Sequence, residues 1–194
     1  MAEENATLPL FPLHTVLLPG GVLPLRIFEP RYLDMVSRCL RQESGFGVVL
    51  IRDGDEVGRA AHTHEVGTLG RISWFERRRD GLLGITVTGE RRFRIRARDV
   101  GPDQLLSGRV QLLPEAPAQP LPEAHAHLAE LLRRLLESLE PPYRTLPPAY
   151  EDAGWVGGRL IELLPLPLVR KQHCLELDDP LVRLEELRRY LERK

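Results

Sequence analysis

Residues 8–32 read LPLFPLHTVLLPGGVLPLRIFEPRY, a run too apolar for a solvated loop and too rich in proline for an ordinary helix. Pro9, Pro12, Pro19, Pro24 and Pro30 each hold φ at about −65° and each remove a backbone donor. The combination predicts an extended chain pinned at its bends, and a surface or edge strand in preference to a flexible tail. Residues 16–27 are expected to run as extended segments around a Pro19-Gly20-Gly21 turn. Pro30 suits the first turn of a helix over residues 31–42, where Tyr32, Met35, Val36, Cys39 and Leu40 recur at helical spacing and Gly45 follows as the stop.

Strand and turn signals follow as far as residue 113. FGVVLI at 46–51 reads as a strand with a tight turn at Asp53-Gly54. Residues 68–75 lead through an Asp80-Gly81 turn into a strand at 82–88, Gly89 punctuates, and residues 91–98 form another. Residues 109–113 close the set. Six short strands with one inserted helix predict a small closed or partly open barrel, because closure protects edges that few helices can cover. The proline-rich PEAPAQPLPE at 114–123 then introduces a helical pattern: a stripe of Leu128, Leu131, Leu132, Leu135 and Leu139, a second helix at 152–164 carrying Gly157-Gly158, a short one near 169–175, and a terminal helix capped by Asp179 and Pro180. The expected fold is α+β, with a β-barrel subdomain at 1–118 and a helical subdomain at 119–194.

Several functional classes lack their residues. Formal net charge is −1, which gives no global attraction to nucleic acid or anionic lipid. No apolar run approaches the roughly 20 residues that cross a bilayer, so no membrane role is expected. Two cysteines and no leader-like segment before Leu8 point to a reduced cytoplasm. Phosphate-binding glycine loops and a GxSxG elbow are missing, and Lys171 and Lys194 are the only lysines available to a serine–lysine centre. His62 and His64, with Glu65 adjacent and His14 elsewhere, are the best metal candidates, since alternate strand residues share a face. Ordinary surface histidines remain the preferred reading. No catalytic residue, cofactor or metal is expected.

One charged feature stands out. Arg92, Arg94, Arg96 and Arg98 alternate with Phe93, Ile95 and Ala97, and residues 71–98 hold nine arginines against three acidic residues. Period two places those guanidinium groups on one face. The face is read first as solvated, then as a surface for an acidic protein or peptide, and last as a phosphate contact.

The chain resembles the LON substrate-binding domain family, the N-terminal domain of ATP-dependent Lon protease that also occurs as a free-standing protein. The resemblance rests on LPLFPL at 8–13, VLLPGGVLPLRIFEPRY at 16–32, FGVV at 46–49, VGTLGRI at 66–72, DGLLGITVTGERRFRI at 80–95 and ELLPLPLVRKQHCLELDDPLVRLEEL at 162–187. It implies a PUA-like β pseudobarrel followed by a helical subdomain, in a bacterial cytoplasmic setting. It also implies recognition of protein substrates, with ATP hydrolysis and proteolysis in later domains that this sequence does not include.

Residue by residue, Arg26, Phe28, Glu29, Pro30, Arg31 and Tyr32 match the family's IFEPRY segment, and Glu162, Lys171 and Gln172 match its helical signature; the His173-Cys174 pair departs from the family's aliphatic pattern. The architectural reading buries Phe28 and Tyr32 and has Glu29 and Arg31 satisfy backbone or charged partners where strand meets helix; direct ligand contact is the alternative. The expected function is a non-enzymatic module for unfolded or extended polypeptide segments, with a protease or chaperone as further partner. Its candidate contacts are these residues together with Pro9, Phe11 and Pro12. A groove beside the proline-rich strand, used by edge pairing, or an apolar cleft where strands meet helices would be the site. An RNA-binding module using Arg92, Arg94 and Arg96 is the alternative, since PUA-like barrels also occur in RNA-binding proteins. Oligomeric state is left open.

Overall fold

Strand β1, Asn5–Leu13, is not an edge. In this computed structural model, which describes residues 5–192, β1 runs antiparallel to β7 (Leu106–Leu112) from Asn5↔Gln111 to Leu10↔Leu106. It then runs parallel to β3 (Phe46–Asp53) from Leu10↔Gly47 to Leu13↔Leu50. A strand that changes partner uses one side first and the other afterwards, so Pro9 and Pro12 fit wherever their missing donors would face the unused side. The edge expected from the prolines is thereby overturned for β1.

The partner change closes a ring. Order β1-β7-β6-β5-β3 returns to β1, with β5 at Val66–Arg77, β6 at Leu83–Val100, and a two-residue β4, His62–Thr63, beside β3. A closed β-barrel with an inserted helix, in a mixed α and β chain, is the fold class expected. Two expected strands prove to be one: β6 runs 18 residues straight through Gly89. A Cβ at Gly89 would collide with the Leu18 carbonyl. The glycine therefore answers a close backbone approach, not a break.

The first half of β6 carries β2 (Val22–Ile27) on its free side, from Val22↔Thr88 to Ile27↔Leu83. β2 is entered through a turn in which Gly21 N donates to Leu18 O at 3.0 Å. Pro19 and Gly20, at φ 73°, occupy its centre, the residues that a type II turn demands.

Among the described residues, apolar clusters pack within the first unit, residues 1–114. Leu10, Val49, Phe93, Ile95, Leu106 and Val110 pack in one. In another, helix α1 (Pro30–Arg41) turns Tyr32, Met35, Val36 and Cys39 toward Ile27, Ile85 and Val87. The chain leaves α1 at Glu43, φ 50°, ahead of Gly45.

The second unit, residues 115–194, is helical. α2 (Ala126–Ser138) buries Leu128, Leu132 and Leu136, one line at i, i+4 and i+8. Leu136 takes the buried place expected of Leu135 and Leu139. α3 (Ala153–Leu163) starts at Asp152, whose Oδ1 accepts from Trp155 N at 2.6 Å. α4 (Leu168–Glu176) and α5 (Pro180–Glu192) follow, with Asp179 Oδ1 accepting from Leu181 N at 2.8 Å. Gly157 admits Leu184 of α5, whose Cα lies 4.0 Å from where a Cβ would stand. Lys194 lies outside the described residues.

Candidate functional site

The junction between β2 and α1 gathers most of the IFEPRY residues. Pro30 occupies the first turn of α1, with Glu29 as N-cap. Glu29 makes no side-chain cap bond, because its carboxylate is taken by Arg31 Nη2 at 3.0 Å and Gly58 N at 3.4 Å. Arg31 is only 6% exposed. It also donates to the carbonyls of Gln104 at 2.9 Å and Glu56 at 3.4 Å, and its guanidinium lies 4.6 Å from the Tyr32 ring centre. One buried cation thus ties α1 to two loops distant in sequence, as charge-assisted hydrogen bonds favour. Tyr32 stacks on Phe11 at 4.1 Å, and burial pushes its phenol up to about 12.

Phe28 does not join them. It is 53% exposed, against the expectation of a core position. Leu23, Leu25 and Ile27 take the inward places along β2, and a period of two leaves the next residue outside. Phe28 stands on the rim of a groove of about 240 Å³ whose apolar lining includes Phe11, Leu13, Pro24, Tyr32 and Val57. Val57, in the loop before β4, is 55% exposed. No periodicity or turn signal marks Val57 in the sequence, so the reading by pattern missed it.

Charged groups around the groove already hold partners within the fold. Glu29 holds Arg31, Glu56 Oε1 accepts from His14 N at 2.6 Å, and Arg26 pairs with Asp80 in the β5–β6 turn. The lining includes no Ser, Cys, His or Lys. Its apolar floor suits an uncharged apolar occupant.

The arginine row divides. Arg92 is 5% exposed, Arg94 is half-buried, and Arg96 donates to Gln111 Oε1. Arg98 donates to the carbonyls of Thr63 at 3.2 Å and His64 at 3.1 Å. A uniform solvated stripe is therefore overturned: periodicity fixes which residues share a face, not whether that face meets water. In the helical unit, Lys171 Nζ donates to Glu162 O at 2.7 Å, and burial lowers its pKa. Gln172, also buried, donates to Glu176 Oε1 at 2.8 Å, and buried Arg159 pairs with Glu162 at 2.8 Å. These bonds join turns of helix within the second unit, and the signature residues Glu162, Lys171 and Gln172 are not among those that line the groove.

Cys39 and Cys174 are buried, and burial raises both thiols. Among the described residues no group of three or more His, Cys, Asp or Glu is placed to hold a metal, His62 and His64 included, and no helix is long and apolar enough to cross a membrane.

A sequence model of the ATP-dependent protease La (LON) substrate-binding domain matches residues 7–193. The chain belongs to the LON substrate-binding domain family. A Lon N-terminal domain protein from Xanthomonas campestris is 41% identical, superposes with a TM-score of 0.77, and is covered to 96% by 94% of this chain. The N-terminal domain of a Mycobacterium avium complex Lon protease shares the fold at TM-score 0.61 and 22% identity, with 93% and 95% of the two chains covered. Lon protease of Anaeromyxobacter dehalogenans is 26% identical over 97% of this chain but only 23% of its own length. The LON domain described here thus spans about a quarter of that relative, and the family's substrate-binding character is what the match supports.

Proposed function

We propose that this LON domain is a polypeptide-recognition module that binds exposed apolar segments in the groove beneath Phe28 and breaks no bond itself. The observation that carries this reading is the groove's rim. Phe28 and Val57 are both more than half exposed beside an apolar floor, where burying them on a partner gains free energy that the isolated fold forgoes. Membership of a substrate-binding family supports it. Tyr32, the one titratable ring in the lining, stays protonated far above neutrality, which makes it a poor general base. By analogy with the Lon proteases, the bound segment is a client handed to proteolysis carried out elsewhere. The RNA alternative loses support from Arg92, which is buried; Arg96 and Arg98 are exposed, each holding hydrogen bonds within the fold.

Binding of reduced, carboxymethylated α-lactalbumin, a permanently unfolded chain, tests this by anisotropy. Phe28→Ser and Val57→Ser should each weaken it about tenfold, as expected for loss of an apolar anchor, with the melting temperature unchanged. Unaltered affinity in both variants overturns the location. No binding by the unsubstituted protein overturns the polypeptide reading, and salt-resistant retention of RNA in a parallel titration would put the RNA reading in its place.

A further inference from the structure

The groove runs along a strand edge that no other strand of the described residues covers. Among the described residues β2 pairs with β6 alone. At its entry Gly20 N donates to Gly89 O at 2.8 Å and Gly89 N donates to Gly21 O at 2.9 Å, so Gly21 faces β6. Alternation of an antiparallel ladder then turns the backbone groups of Leu23, Leu25 and Ile27 toward β6 and those of Val22, Pro24 and Arg26 away from it. No other backbone hydrogen bond among the described residues reaches these three. The same stretch supplies Pro24, Arg26 and Phe28 to the groove.

We infer that the bound polypeptide adds to β2 as a further, extended strand on this open edge, directing alternate apolar side chains into the groove. The inference rests on the groove being the polypeptide site. Its occupant is an uncharged segment of alternating apolar residues, because the floor is apolar and the charged groups beside it already hold partners within the fold: Glu29 and Arg26 in ion pairs with Arg31 and Asp80, and Glu56 Oε1 in a hydrogen bond from the His14 amide. An added strand supplies what the edge lacks, donors for the carbonyls of Val22, Pro24 and Arg26 and acceptors for the amides of Val22 and Arg26.

Pro24 makes the edge selective. It contributes a carbonyl but no donor at the centre of the edge, so the residue facing it gives its N–H and receives nothing. The same proline prevents a regular ladder between two copies of this edge. The open strand is thus protected from self-association while keeping acceptors for a client. Backbone pairing reads no side chain, and the groove reads only their apolar alternation. The device therefore suits a module that must accept many unfolded sequences.

A backbone N-methyl scan tests the register without altering the protein. The probe is a fluorescein-labelled octapeptide of alternating valine and threonine, with Gly-Ser flanks, methylated at one amide at a time. Parity is fixed because a slip by one residue would send the valines to the wrong face. Anisotropy should show a loss of about tenfold or more at every second amide, where an inward N–H is removed, and no loss at those between. Equal tolerance at all positions overturns strand addition and leaves groove binding standing. If unfolded α-lactalbumin binds and the parent octapeptide does not, strand addition alone is overturned; if neither binds, both readings fall.

Discussion

Residue identity alone misassigned Phe28 and Arg92 in opposite directions. An aromatic that follows Ile27 in an apolar run has the look of a core residue, and an arginine in an alternating row that of a surface one. Ile27 occupies the inward place and Phe28 is left out, while Arg92 is enclosed. Burial depends on what covers a face, and the covering residues come from elsewhere in the chain. The contrast within the row is measurable. Arg92→Ala should cost about 2 kcal/mol, through lost packing of its buried stem, whereas exposed Arg96→Ala should shift stability by less than about 0.5 kcal/mol. Urea midpoints of the two variants check this; equal midpoints would return Arg92 to the solvated face. Arg31 was more legible, because a charged residue at a strand-to-helix junction needs partners, but its partners at Glu56 and Gln104 had no signal at all.

At the scale of elements, helices were read well wherever spacing and caps agreed. α1 begins at Pro30, α3 at the Asp152 cap and α5 at Pro180, because caps and prolines act through their own backbone. Strands were harder. Gly89 was read as punctuation, yet β6 continues through it, and β1 was read as an edge, yet both its sides find partners in turn. Glycine is ambiguous in sequence between a turn and a close approach, and the distinction appears in substitution. In β5, a Cβ at Gly67 would lie 2.5 Å from the Val48 carbonyl oxygen and 2.8 Å from the Phe93 ring. Backbone cannot yield there, so Gly67→Ala should destabilise by about 1–3 kcal/mol. At Gly157 in α3 the nearest atom, of Leu184, is 3.5 Å away, an ordinary contact. Gly157→Ala should therefore be neutral or stabilising by up to about 1 kcal/mol, the helix-propensity gain. Chemical denaturation of both variants decides the matter, and a stable Gly67→Ala would contradict the packing described around Phe93.

For the whole molecule, the change from strand to helical pattern was visible in composition, and the structure divides the chain into units at 1–114 and 115–194. We propose that the boundary behaves as a linker. Residues 114–118 are exposed and lack regular structure, features that concentrate proteolytic nicking. A glutamate-specific protease at low concentration should cut first after Glu115 and yield two fragments resolved by mass spectrometry; first cuts inside α2 or α5 would argue against it. The groove belongs to this scale too. It exists because Phe11 and Leu13 of β1, the β2–α1 junction and the loop of Val57 meet there.

Sequence by itself determined the local matters: where helices start and stop, which residues of a strand share a face, which catalytic and phosphate-binding motifs are missing, and, through a string of specific motifs, the family. These follow from backbone chemistry and from periods of two and 3.6 residues. Tertiary structure decided which faces are dry, that β1 closes the ring by changing partners, and that β2 keeps an open edge beside an apolar groove. Those outcomes depend on surfaces contributed by residues far apart along the chain, and a one-dimensional pattern carries no record of which distant segment covers which face.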